Sequence, residues 1–325
     1  GQQMNIYSSK NLKNWVLESK FGHEYGNHGG VWECPDLMKL PVSGTHETKW
    51  LLICNINPGG PFGGSATQYF IGDFDGHKFT CESKPEVTKW MDYGKDHYAT
   101  VSFDNAPDGR HVVMAWMSNW QYANVTPIKQ YRGANTLPRE LFLFAKDGET
   151  FMGANVATEV RALRKSTRYV GTLKATEKAP KEEKNCLVGT GDAFELEMDI
   201  TPSEAATAGF ELYNSKGERV KIYFDTKAGK LVMDRTESGL TAFGEKAESH
   251  QIEKDFDLVE EKAGKAPSRK TNPVNYKNDF ALGTWAPLNL CKGKSYHVDV
   301  FVDKCSVEIF VDGGRIAMTN LVFPT

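Results

Sequence analysis

Short runs in which apolar and polar residues alternate recur along nearly the whole chain and leave little room for helices. Phe194-Glu195-Leu196-Glu197-Met198-Asp199-Ile200 is apolar at every second position, as are Val220-Lys221-Ile222-Tyr223-Phe224 and Tyr296-His297-Val298-Asp299-Val300-Phe301-Val302. Side chains alternate between the two faces of a strand, so each run has one buried and one wet face. Turn signals separate such runs: Asp75-Gly76, Asp108-Gly109, Asp147-Gly148 and Asp312-Gly313-Gly314. Asp-Gly supplies the positive φ angles that a tight hairpin turn requires. Strands at this spacing predict an all-β fold of propeller or sandwich type.

The 325 residues suffice for two domains. Thirty-nine basic against 42 acidic residues give a net charge of −3, which offers nothing to nucleic acid or an anionic membrane. No apolar run approaches the ~18 residues that a membrane span needs. Six cysteines, at 34, 54, 81, 186, 291 and 305, show neither metal-ligand nor redox spacing and read as free thiols. No metal or cofactor is expected. Seven tryptophans suit either a β core or flat platforms for sugar rings.

Residues 1–150 carry runs such as Trp50-Leu51-Leu52-Ile53-Cys54 and Glu140-Leu141-Phe142-Leu143-Phe144. Tyr7–Trp15 and Phe74–Trp90 share a layout of strand, polar turn and tryptophan, as repeated propeller blades do. Residues 151–188 break the pattern with a charged stretch around Lys178-Ala179-Pro180-Lys181-Glu182-Glu183 and read as a connector. Residues 189–325 read as a β-sandwich, with 250–272 as a long surface loop.

Five segments of the first half carry chemistry. Val31-Trp32-Glu33-Cys34-Pro35-Asp36-Leu37 predicts a strand with Val31 and Glu33 on one face and Trp32 and Cys34 on the other, ending at Pro35. Asn57-Pro58-Gly59-Gly60-Pro61-Phe62-Gly63-Gly64-Ser65 is glycine-rich but lacks the strand-to-helix setting of a phosphate loop, so nucleotide binding is rejected. Asp92-Tyr93-Gly94-Lys95-Asp96-His97-Tyr98-Ala99 follows, then Trp116-Met117-Ser118-Asn119-Trp120-Gln121-Tyr122-Ala123, whose Trp116, Ser118 and Trp120 would share one strand face. In Leu137-Pro138-Arg139-Glu140-Leu141, Arg139 and Glu140 read as a structural pair.

Together these segments resemble glycoside hydrolase family 32, the invertase, inulinase and levanase family, and they occur in the family's order. The resemblance implies a five-bladed β-propeller followed by a β-sandwich, and retaining hydrolysis of β-fructofuranosidic bonds in fructans or sucrose. It implies that Glu33 is the general acid/base. Such a reaction needs one carboxyl to protonate the leaving oxygen and then deprotonate water, while a second attacks the anomeric carbon. The acid's proton would be held by burial or by the nucleophile's charge. The resemblance also places Asp92 on the cleft wall as an acceptor for sugar hydroxyls, and sets Trp116 or Trp120 beside the fructose subsite. By the same resemblance the protein is secreted or periplasmic.

The chain departs from the family at two points. The nucleophile's Trp-Met-Asn-Asp-Pro-Asn-Gly segment is absent, as is the Arg-Asp-Pro segment of the transition-state stabiliser. Both are expected upstream of Gly1, leaving about two and a half blades here. The expectation is a fragment inactive by itself, with an open sheet edge that favours homo-oligomers. A carbohydrate-binding module without turnover, or half of a split enzyme, are the competing readings.

Overall fold

The computed structural model describes residues 2–172, 191–203, 205–244, 248–249, 272–273, 275–288, 290 and 293–325. The charged stretch at 178–183 and the loop expected at 250–272 lie outside them, except for its last residue.

A hairpin of β1 (Met4–Ser8) and β2 (Val16–Phe21) comes first. β3 (Val31–Ser43), β4 (Thr48–Asn57), β5 (Ala66–Phe74) and β6 (Phe79–Cys81) then form an antiparallel meander, and β7 (Lys89–Trp90) pairs with the other end of β5. β8 (Tyr98–Ser102), β9 (Val112–Trp116), β10 (Arg139–Lys146) and β11 (Glu149–Val156) make a second meander. The last hairpin closes on Asp147-Gly148, both residues at positive φ (53° and 81°), as the dipeptide predicts. A short parallel pairing of β3 with β10, at Val42 and Leu143, joins the two meanders. β11 extends past residue 150 in register with β10, so the blade takes up the first residues assigned to the connector.

The blades stack face to face, which explains the unbroken apolar run of β4. Leu51 and Ile53 pack with Leu143, Val113 and Met152 of the second blade. Leu52, Cys54 and Ile56 point the other way, into Met4, Phe21, Trp32 and Phe70. A strand buried on both faces has no wet side and does not alternate.

After a helical turn, α1 (Thr158–Arg161), the chain enters two four-stranded sheets. One has the order β12 (Phe194–Ile200), β19 (Tyr296–Asp303), β20 (Ser306–Val311), β21 (Ile316–Leu321). The other has the order β13 (Thr207–Tyr213), β14 (Arg219–Asp225), β15 (Lys230–Glu237), β18 (Gly283–Pro287). Two-residue strands β16 (Glu248–Ser249) and β17 (Asn272–Pro273) pair with each other. Ile222, Phe224, Leu231 and Met233 of one sheet meet Val298, Val300, Ile309 and Met318 of the other in a single core, as alternation predicts for a sandwich. The fold is all-β, a partial propeller joined to a sandwich.

β20 and β21 are buried on both faces because their outer side meets the second blade. Phe310 and Ala317 pack on Val156 and Leu137. Arg139, fully buried, donates to Asp92 Oδ2 and Glu308 Oε2, each at 2.7 Å, and also to the Thr319 hydroxyl. Residues 92–96 run along β21, with Tyr93 N donating to Ala317 O (2.8 Å) and Asp96 N to Thr319 O (3.0 Å). A second buried arginine, Arg235, donates to Asp96 Oδ2 (2.6 Å) and to the carbonyls of Phe280 and Leu321. The pairing of Arg139 with Glu140 is not what forms. Neighbours on a strand point to opposite faces, so Arg139 turns into the seam while Glu140 turns outward to Arg110 (3.7 Å).

Candidate active site

Glu33 lies near the mouth of β3, opposite Asn55, but Pro35 does not end the strand. The ladder slips between Glu33 and Asp36 and then runs on to Ser43. Cys34 takes a left-handed φ of 46° and is exposed rather than sharing the buried face of Trp32. This is a β-bulge, and the proline's missing donor falls within it. The bulge turns the Glu33 carboxylate toward Tyr98.

Tyr98 sits at a matching irregularity. The β8–β9 ladder slips between Tyr98 and Val101, and Ala99 has a φ of 53°. Left-handed non-glycine residues cost about 1–2 kcal/mol each. Here they flank two side chains that meet, since the Tyr98 hydroxyl donates a short hydrogen bond to Glu33 Oε2. Burial, and then that carboxylate, push the Tyr98 phenol well above its ordinary range, so it remains a donor. Glu33 itself is exposed.

Asn55, fully buried, ties the two irregularities together. Its Nδ2 donates to Cys34 O (3.3 Å) and Thr100 O (3.2 Å), and its Oδ1 accepts from Thr100 N (3.0 Å) and Thr67 Oγ1 (2.7 Å). His97 lies under this network, its Nδ1 against the hydroxyls of Thr67 and Thr100. Burial pushes the His97 imidazole down to about 3, so it is neutral.

The two tryptophans come together beside this pair. Trp116 is the cross-strand partner of Tyr98, their rings 6.3 Å apart, and the Trp120 ring follows at 4.9 Å with a 50° tilt. They do not share a strand face with Ser118 as expected. β9 ends at Trp116, Ser118 and Asn119 are buried, and a turn brings Trp120 back over Trp116. Asn119 makes that turn by donating to Gly63 O (3.2 Å) and Lys95 O (3.0 Å), while Ser65 Oγ accepts from Trp120 N (3.2 Å). The glycine-rich loop therefore braces the tryptophan pair. Gly64, at φ 68°, has no room for a side chain, because a Cβ would lie 1.9 Å from Asn119 Oδ1.

Asp92 is not brought to this cluster. Its Oδ1 accepts from Gly94 N (2.7 Å) and Thr319 N (2.8 Å), and its Oδ2 from Arg139 and Thr319 Oγ1 (both 2.7 Å). Burial alone would raise the carboxyl, but the Arg139 guanidinium overrides it and holds Asp92 below the ordinary carboxylate value. No lone pair faces a cleft, so this aspartate belongs to the seam rather than to a sugar-binding wall. Sequence reasoning missed Tyr98 and Asn55. Tyr98 stands six residues beyond Asp92 in the quoted segment, and the β-branched run after it marks the strand that carries it.

Glu33, Tyr98, Trp116 and Trp120 thus place one carboxylate, its donor and two indoles at one end of the two blades. Among the described residues no helix is long and apolar enough to cross a membrane.

The sequence matches the glycosyl hydrolases family 32 N-terminal domain over residues 1–153 and the family's C-terminal domain over 159–325. It is 36% identical to a levanase of Bacillus subtilis (strain 168) over all of this chain and 43% of that protein. It is 32% identical to an extracellular exo-inulinase of Aspergillus niger over 98% of this chain and 55% of that one. The crystal structure of exo-inulinase from Aspergillus awamori superposes with a TM-score of 0.79 at 28% identity, covering 100% of this chain and 57% of that chain. The β-fructofuranosidase of Schwanniomyces occidentalis complexed with fructosyl-erythritol does so at 0.72 and 26%, covering 99% and 59%. The chain spans about half the length of the curated relatives it matches. It belongs to glycosyl hydrolase family 32.

Proposed function

We propose that this chain supplies the acid/base half of a retaining fructan-hydrolysing site, with Glu33 as the acid/base and Trp116 and Trp120 as the wall of the fructose subsite. The observation that carries this reading is the convergence of Glu33 and Tyr98 at two β-bulges beside the tryptophan pair. Backbone strain held at the meeting point of two polar side chains is a hallmark of functional sites. Levanases and exo-inulinases among the relatives favour a fructan over sucrose as substrate.

Retention requires a second carboxylate about 5–5.5 Å from the acid. The family's nucleophile segment is absent from these 325 residues, so turnover depends on a segment that carries it. That segment would also cover the exposed Glu33 carboxyl. Two other readings stand beside this one, a sugar-binding module without turnover and a split enzyme. The exposed indole of Trp120, 37% accessible, suits the first equally.

Co-expression with a family 32 segment bearing both missing aspartate motifs separates the two catalytic readings, fragment and split enzyme, from the binding module. The expected result is fructose release from levan or inulin, reduced in Glu33→Gln by a factor on the order of 10⁴ or more. Release that survives this substitution overturns the assignment of Glu33. Fructan binding by the chain alone, weakened in Trp120→Ala, with no release in the mixture, would favour the binding module.

A further inference from the structure

A cluster on the face of β12 and β19 turned away from the sandwich core plays no part in the site above. Glu195, Glu197 and Asp199 alternate with the core residues Leu196 and Met198, and His297 and Asp299 alternate with Val298. Register sets Glu197 opposite Asp299, and Asp199 opposite His297. The His297 ring lies between these carboxylates. Its Nδ1 is 2.9 Å from Asp199 Oδ1, a distance at which the ring donates. That leaves Nε2 as the atom that a metal would take once its proton is displaced, and it lies 3.5 Å from Asp299 Oδ1 and 3.7 Å from Glu197 Oε1.

We propose that His297 Nε2, Asp299 Oδ1 and Glu197 Oε1 form a binding site for a divalent transition metal of the Zn²⁺ type, oriented by Asp199.

Four observations support it. Asp299 is only 2% exposed, and its buried Oδ1 has no hydrogen-bond partner although it is aimed at the imidazole. A buried carboxylate oxygen left unpaired is costly unless a cation completes it. The second oxygen of each carboxylate is already held, Asp299 Oδ2 by Arg161 (2.9 Å) and Glu197 Oε2 by Arg164 (3.1 Å), so one oxygen of each is left turned to the ring. The spacing fits as well. Bonds of about 2.0–2.2 Å from zinc to nitrogen and oxygen give a tetrahedron with edges of about 3.3–3.5 Å. Two edges are near that value, and all three ligand atoms lie within 4.8 Å of one another. Glu197, exposed at the rim, closes the third edge by a small rotation, and water takes the fourth position. Finally, four carboxylates (Glu195, Glu197, Asp199, Asp299) outnumber the two guanidiniums (Arg161, Arg164), and a cation would offset that excess of negative charge around the imidazole.

An imidazole ligand argues against Ca²⁺ and Mg²⁺, which take oxygen ligands. The Asp199–His297 hydrogen bond is the carboxylate–histidine–metal arrangement that fixes the tautomer and strengthens the ligand. Sequence spacing conceals the site because its ligands come from strands a hundred residues apart.

The test uses the whole chain, stripped with EDTA and titrated with Zn²⁺ by calorimetry and with Co²⁺ by visible absorption. One Zn²⁺ equivalent per chain, a tetrahedral Co²⁺ spectrum and a rise in Tm with Zn²⁺ are expected. All three should be lost in His297→Gln and in Glu197→Gln, whose exposed side chains leave the metal-free melting temperature close to that of the parent. Asp199→Asn should keep the stoichiometry and bind about 10–100-fold more weakly. No Zn²⁺ binding by the parent chain overturns the proposal. So does binding unchanged in both substitutions, which would place the ion elsewhere, for instance on an exposed thiol such as Cys34.

Discussion

Glu33 owes its position to residues that look unremarkable in a sequence. The Glu-Cys-Pro segment marks it as special, yet what aims it is the left-handed Cys34, the matching Ala99 and the Asn55 amide that bonds Cys34 and Thr100. Bulges arise where two ladders slip, and a slip depends on both partner strands, so neither is visible in a single run of residues. Tyr98 tests this geometry. Its hydroxyl is the donor that holds the Glu33 carboxyl, and misplacing a catalytic group by about 1 Å can cost on the order of 10²-fold. Tyr98→Phe should therefore lower fructose release in the complemented assay by about 10–100-fold with little change in fold. An unchanged rate would show that the hydroxyl does not position the acid. Arg139 was misread for a simpler reason. Its partners Asp92, Glu308 and Thr319 are 47, 169 and 180 residues away, and only the adjacent Glu140 was within view of the sequence. Arg139→Met would leave two carboxylates buried without their cation. A loss of about 3–5 kcal/mol is expected, read from urea unfolding. A near-neutral result would mean that the seam opens to water.

At the scale of elements, alternation located the sandwich strands well, because each has one wet face. The propeller strands were found by apolar content rather than alternation, since stacked blades bury both faces of β4. Where the chain leaves a strand, the pattern fails. Trp116 and Trp120 are four residues apart, and period-two counting puts them on one face. The structure brings them together instead by ending β9 and turning on Asn119. The doubly buried strand also carries a stability prediction. Ile53→Ala should cost about 2–5 kcal/mol, as large-to-small core changes do, because the stacked blades cannot collapse around the cavity. A loss below that range in chemical denaturation would indicate a loosely packed contact between the blades.

For the whole molecule, the seam between blade and sandwich governs behaviour in acid. Burial keeps His97 neutral down to about 3, whereas an unfolded histidine takes a proton near 6.5. Asp92 is held below its ordinary value when folded, so its unfolded form also binds protons first. In both cases the unfolded chain gains the proton. Their contribution to stability is therefore full above about pH 6.5 and is lost as the pH drops toward 3. Urea midpoints measured across this range should decline, and less steeply in His97→Gln. A flat profile in the parent would refute the linkage. The sequence expectation of self-association also belongs at this scale. Tyr7, Trp15, Val16 and Leu17 of the first hairpin are exposed by 49, 55, 61 and 43%. An apolar hairpin of this kind favours pairing between copies. Light scattering should show a mass that rises with concentration and is reduced by Val16→Lys, and a constant monomer mass would count against it.

Residues 92–96 also shield the outer hydrogen-bonding edge of β21, using amides of Tyr93 and Asp96 that a neighbouring strand would otherwise supply. Cutting the sandwich out as an independent unit would uncover that edge together with the apolar Phe310 and Ala317. Unguarded edges of this type nucleate amyloid-like stacking. The edge of β21 is guarded by a segment that precedes it by more than two hundred residues.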